Sequence, residues 1–224
     1  MEEYTLSHQI NIIIHVISGS LALVIGIIAM ATRKGGRAHK KSGLVFLFLV
    51  TLVITTGLIG VFIFNVNTFL LVITLLSGYE AYSGYRVLKL KSNTPKSQDI
   101  LVALLALASG VYFLYYFKSI RMYWAPGIIY STVGALFLLI AYDFLRYLIP
   151  KNRYKKLWLY EHIYKMVAAF TALFAAFVGT VLPQYHPYSQ FLPSIFGTLL
   201  AIGFIVYFYR KNRRKENEVS KTST

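Results

Sequence analysis

Hydrophobic positions along this chain come in long runs separated by short polar segments, and none of the runs alternates with period two. A segment that crosses the hydrocarbon core of a bilayer needs about 20 mostly apolar residues. Seven windows meet that requirement, at 10–32, 43–65, 68–88, 99–117, 127–149, 158–182 and 191–209. Strands of a membrane barrel would alternate apolar and polar positions, and backbone groups in lipid must otherwise be satisfied inside their own segment. The pattern predicts an all-α polytopic membrane bundle, a domain of seven transmembrane helices over residues 1–209. A basic, Ser- and Thr-rich tail follows over 210–224 and is expected to lack order.

The charges between the windows orient the bundle. Arg33, Lys34, Arg37, Lys40 and Lys41 fill the first connection, and Arg86, Lys89, Lys91 and Lys96 the third. Arg146, Lys151, Arg153, Lys155 and Lys156 fill the fifth, and the tail from Arg210 to Lys221 is basic as well. The alternate connections hold only Lys118 and Arg121. Lys and Arg accumulate on the cytoplasmic side, so the N-terminus is expected outside, the C-terminus in the cytoplasm, and the protein in a cell inner membrane. Met1-Glu2-Glu3-Tyr4 is acidic where a signal peptide would be basic, and the first apolar run is too long for one, so that run is expected to stay in the mature chain.

Composition agrees with this and removes several function classes. Hydrophobic residues make up 57% and charged residues 14%, against roughly 25% charged in soluble domains. The formal charge of +15 would suggest nucleic acid in a soluble protein. Here it is a topology signal, helped by anionic lipid headgroups at the cytoplasmic face. With no cysteine, disulfides, zinc–thiolate sites, iron–sulfur clusters and thiol nucleophiles are excluded.

Ionisable residues inside a membrane are costly and mark function or pairing. Glu80 lies six residues before Arg86, about 9 Å below the boundary at 1.5 Å per residue. Asp143 sits at a comparable level, and Lys165 lies roughly 10 Å into the sixth window by the same rise. Three charges at one depth predict a cluster in which Lys165 pairs with Asp143 or Glu80, and a surplus carboxylate that is protonated or bonded to Tyr or Ser. The candidate ligand or ion site is Asp143, Lys165, His162, Glu80 and Tyr82. The plainer reading of the same residues is a structural ion pair between helices.

The five histidines supply a second candidate. His39 and His162 stand near the cytoplasmic ends of their windows, while His15, His8 and His186 lie toward the outside. Stacked imidazole pairs suit b-type haem iron, which makes His39 with His162 and His15 with His186 the alternative ligand sets and haem b the alternative cofactor. The plainer reading leaves His39 in solvent and His162 at the interface. No window carries two His at the spacing of a catalytic zinc site. The Gly-rich connection Arg33–Gly43 lacks the Gly-Lys-Ser/Thr order of a phosphate loop, and no serine nucleophile elbow occurs.

Several segments resemble one family of bacterial multi-pass membrane proteins, defined as a domain of unknown function and common in Bacteroidetes. They are His15-Val16-Ile17-Ser18-Gly19 with Gly26, Lys34-Gly35-Gly36 with His39 and Gly43, and Asn67-Thr68-Phe69-Leu70-Leu71 with Gly84-Tyr85-Arg86. Asp143, Trp158-Leu159, His162-Ile163, Lys165-Met166 and Phe191-Leu192-Pro193 continue the likeness over nearly the whole chain. The resemblance implies a helical inner-membrane protein and supplies no activity. It also implies Arg at the position of Lys165 and an apolar residue at that of Glu80, which makes Asp143–Lys165 the primary pair. The sequence thus leads to a seven-helix protein binding a small ligand or ion, with a haem electron carrier and an assembly subunit docking another membrane protein as the alternatives.

Overall fold

In a computed structural model, residues 5–64, 69–119 and 126–222 are described. Met1–Tyr4, Asn67-Thr68 and Arg121, named above, lie outside them, as does the side chain of Lys118. The described residues form seven long α-helices: α1 (Leu6–Ala31), α2 (Arg37–Phe62), α3 (Phe69–Leu90), α4 (Ser97–Ser119), α5 (Pro126–Leu145), α6 (Lys151–Val181) and α7 (Tyr188–Thr222). Single 3-10 turns follow α5 and α6, and no strand occurs among the described residues.

Local chemistry sets the boundaries. Gly35 takes a left-handed φ of 77° in the turn between α1 and α2, a conformation glycine adopts without steric cost. Ile149 is extended ahead of Pro150, as a residue before proline must be, and α6 starts immediately afterwards. Pro126 opens α5, where its missing N–H costs no helical bond.

Six of the helices, all but α3, are long and apolar enough to cross a membrane. Polar side chains set α3 apart. Ser77, Glu80 and Ser83 are each buried, because α3 runs through the middle of the bundle, against α6 on one side and α2, α4 and α5 on the others. A helix enclosed by protein can carry polar groups that a lipid-facing helix cannot. The outer helices show the reverse pattern: Ile13, Val16, Ile17, Val24 and Ile27 of α1 and Ile195, Phe196 and Leu199 of α7 are exposed.

Small residues bring the helices together where lipid offers no hydrophobic driving force. A Cβ on Gly84 of α3 would sit 3.0 Å from Lys165 Cβ and 3.1 Å from Met166 Sδ of α6. On Gly197 of α7 it would overlap Thr171 of α6. Ala22, Phe46, Leu49, Val50, Ala81, Ala169 and Leu173 form a core shared by α1, α2, α3 and α6. Leu76, Tyr79, Ala103, Leu136 and Ile140 form another between α3, α4 and α5.

Two boundaries differ from the sequence reading. The helix expected from 158 begins at Lys151, so Tyr154 and Glu161 are buried in the bundle rather than placed at its edge. The tail expected to lack order continues α7 as helix to Thr222. Arg, Lys and Glu are good helix formers, and Lys156 Nζ meets Glu216 Oε1 at 2.8 Å, tying the extension to α6.

Candidate functional site

Two features lie toward the end of the bundle that carries the basic connections. The first is a buried ionic network. Helical spacing puts Glu161 and Lys165 on one face of α6, and Asp143, near the end of α5, is followed three residues on by Arg146 in the 3-10 turn. Lys165, with no exposed surface, hydrogen-bonds Asp143 and lies 2.8 Å from Glu161 Oε1. Arg146 Nη1 donates to Glu161 Oε1 at 2.5 Å. Tyr79 donates to Asp143 Oδ2 at 2.7 Å, and Tyr154 to Glu161 Oε2 at 2.6 Å.

Two cations face two carboxylates, and tyrosine hydroxyls take up the remaining oxygens. The adjoining crevice, lined by Tyr82, Ser83 and Asp143 among others, has a volume of about 10 Å³, room for about one water. The carboxylate oxygens of Asp143 and Glu161 are all taken up within the network, while Arg146 Nε, 3.6 Å from Asp143 Oδ1, has no hydrogen bond among the described residues. Removing one partner from a buried pair of this kind strands a charge.

The other residues predicted for this site divide. Glu80 is buried near Lys165, and its Oε2 has no partner among the described residues. Tyr82 donates instead to Asp99 of α4 at 3.1 Å, beside a two-pronged Arg86–Asp99 pair at 2.6 and 3.1 Å. His162 lies away from the cluster, because it occupies a different face of α6 from Glu161 and Lys165.

His162 belongs to the second feature, a cavity of about 490 Å³ between α1, α2, α3, α6 and α7. Its walls are mainly apolar, including Phe46, Met166, Phe170 and Phe204, and Lys34, Lys40 and Lys91 stand around it. Lys34 Nζ lies 4.7 Å above the Phe204 ring and donates to the Ala29 carbonyl at 3.2 Å and to that of Met30. Burial pushes its amine below the ordinary lysine range. Lys91 Nζ lies 5.1 Å above Trp158. Gly43 lines the same space, and a Cβ there would meet nothing within 4 Å.

Both His39 and His162 line this cavity. His39 Nδ1 lies 2.9 Å from the carbonyl oxygen of Ala29, one of the carbonyls at the end of α1 without a helical partner, to which Thr32 Oγ1 and Lys34 Nζ also donate. His162 Nδ1 lies 2.9 Å from the carbonyl oxygen of Gly84, accessible because glycine has no side chain to cover it. The expectation that leaves His39 in solvent is therefore corrected: the end of α1 needs donors, and His39 provides one.

The outer histidines have other partners. His15 Nδ1 lies 2.9 Å from Thr56 Oγ1 of α2, His186 Nε2 donates to the Gly179 carbonyl of α6 at 2.8 Å, and His8 stacks on Phe64 at 4.5 Å. Among the described contacts nothing brings His15 and His186 to one place.

Sequence reasoning missed Arg146 and Glu161 as network members, although the i, i+3 and i, i+4 spacings to Asp143 and Lys165 were there to read. It also missed Tyr154 and the cavity. The chain matches no protein-family model, no curated protein and no solved structure.

Proposed function

We propose that this chain is a seven-span protein of the cytoplasmic membrane, with its N-terminus outside, and that it binds a large, mainly apolar ligand carrying anionic groups in the cavity beside His39 and His162. The alternating basic connections support the orientation, and α3 counts as the seventh span because its polar face is turned inward.

The observation that carries the binding reading is the cavity itself. Its volume of about 490 Å³ falls within the usual range for small-molecule sites, roughly 300–1,000 Å³. Its apolar walls suit a hydrophobic body, and Lys34, Lys40 and Lys91 suit carboxylate or phosphate groups at the edge. The ionic network around Lys165 takes the structural role, holding α5 and α6 in register beneath the cavity.

Purification of the full chain in mild detergent, followed by mass spectrometry of the intact complex and its solvent extract, tests this. The wild-type protein is expected to carry an anionic amphiphile. Gly43→Phe fills the cavity without a clash at Cβ, and should release that ligand while the melting temperature of the empty protein stays close. The reading fails if the wild type carries nothing and its melting temperature does not move with added oleate, anionic lysophospholipid or haemin.

A further inference from the structure

We propose that the cavity's occupant is haem b, its iron held between Nε2 of His39 and Nε2 of His162. This rests on the reading that the cavity binds a ligand, and it names that ligand.

The argument begins with the hydrogen atoms. A carbonyl oxygen only accepts, so each Nδ1 facing a carbonyl carries the ring's proton. In the neutral imidazole the lone pair is then on Nε2. Both rings are thereby set in the tautomer that binds iron, and a backbone carbonyl on the far nitrogen is the usual outer-shell support of a metal-bound histidine.

The two rings come from different helices, α2 and α6, and line one cavity. Among the described residues neither Nε2 has a hydrogen-bond partner. Capping α1 and bridging α3 to α6 account for the two Nδ1 atoms. Neither Nε2 is a buried atom without a partner, so both lone pairs reach accessible space on residues that line the cavity.

Haem b matches the rest of the cavity's chemistry. Its macrocycle is a broad apolar body, for which Phe46, Met166 and Phe170 provide walls. Its two propionates are carboxylates, for which Lys34 and Lys91 provide charge-assisted partners. Two axial imidazoles leave no coordination position open on the iron, so the site is built for a six-coordinate, low-spin haem.

The test is optical. The full chain is produced in cells supplied with 5-aminolaevulinate and purified in mild detergent. Expected are a Soret band that shifts on dithionite reduction, a pyridine haemochrome of the b type, and a low-spin ferric resonance. His39→Gly and His162→Gly should each lose the low-spin signal and regain it with added imidazole, a rescue that a merely structural histidine would not show. His15→Ala and His186→Ala should keep the signal.

Colourless wild type from haem-replete cells that also refuses haemin in vitro overturns the haem assignment. If that protein still carries another amphiphile which Gly43→Phe releases, the binding reading stands without it. A low-spin signal that survives both glycine variants, or that disappears in His15→Ala, overturns the ligand assignment.

Discussion

Lys165 of α6 and Asp143 of α5 are hydrogen-bonded side chain to side chain with almost no surface on either open to solvent. Lys165 also meets Glu161 one turn back on its own helix. Each charge in this group therefore depends on a partner contributed by another position in the chain.

Lys165→Met tests that dependence. Removing one member of a buried pair costs about 3–5 kcal/mol, because Asp143 and Glu161 are left short of a cation. Thermal unfolding in detergent should show a large drop in melting temperature and a lower yield from membranes. Combining it with Asp143→Asn should cost less than the two single changes added together. An unchanged melting temperature for Lys165→Met would show that the pair is not holding the helices.

Glu80 should behave differently. Lys165 and Arg146 are already matched by Asp143 and Glu161, and Glu80 Oε2 has no partner among the described residues. A neutral amide of the same shape removes no satisfied bond from that oxygen, so Glu80→Gln should change stability by no more than about 1 kcal/mol. A loss as large as that of Lys165→Met would mean that Glu80 is a working anion of the network.

Gly197 and Gly43 predict opposite outcomes for one chemical change. Gly197→Ala pushes a methyl group into Thr171, and overpacking of this kind costs typically 1–3 kcal/mol. Gly43→Ala adds the same group where nothing lies within 4 Å and should be close to neutral. Melting temperatures of the two variants, measured side by side, decide the matter.

Lys34 gives a pH dependence whose sign can be worked out. Burial holds its amine below the ordinary lysine range, so the folded chain releases this proton before the unfolded chain does. Between the two pKa values the unfolded state binds more protons, and stability from this group rises with pH. Lys34→Met should flatten that rise in an unfolding series run up toward about pH 10. An identical slope in both proteins would count against it.

Topology can be read with engineered thiols, since the chain has no cysteine of its own. Lys96, in the exposed connection after α3, becomes Lys96→Cys. Tyr185, exposed after α6, becomes Tyr185→Cys. A membrane-impermeant maleimide added to intact cells should label Tyr185→Cys at once and Lys96→Cys only after permeabilisation. The reverse pattern would invert the orientation.

The apolar windows made the helices legible before any coordinates, because lipid leaves few alternatives for a run of that length. Their ends were less visible. Lys151-Asn152-Arg153-Tyr154-Lys155-Lys156 reads as a solvated connection, yet it is the first part of α6, and Tyr154 within it is fully buried. That misplaced start set Glu161 near water and hid its bond to Arg146.

The common depth of Glu80, Asp143 and Lys165 suggested that Lys165 pairs with Asp143 or Glu80, since unpaired charges in the membrane are costly, and only the family resemblance favoured Asp143. The cavity was not legible. It exists because Gly43 and the facing segments of five helices leave space between them, and packing of that kind is not encoded in the periodicity of any one segment. His39 and His162 could be placed on the same side of the membrane from the sequence. Their main-chain anchors could not, because they depend on how α1 meets α2 and how α3 meets α6.

Those anchors have one more implication. Each imidazole takes its aim from a peptide carbonyl, which every amino acid possesses, so exchanging the residue type at Ala29 leaves its acceptor in place. Only sliding one rod against its neighbour would turn a ring. The angle between the two ring planes is therefore fixed by how α1 lies against α2 and how α3 lies against α6.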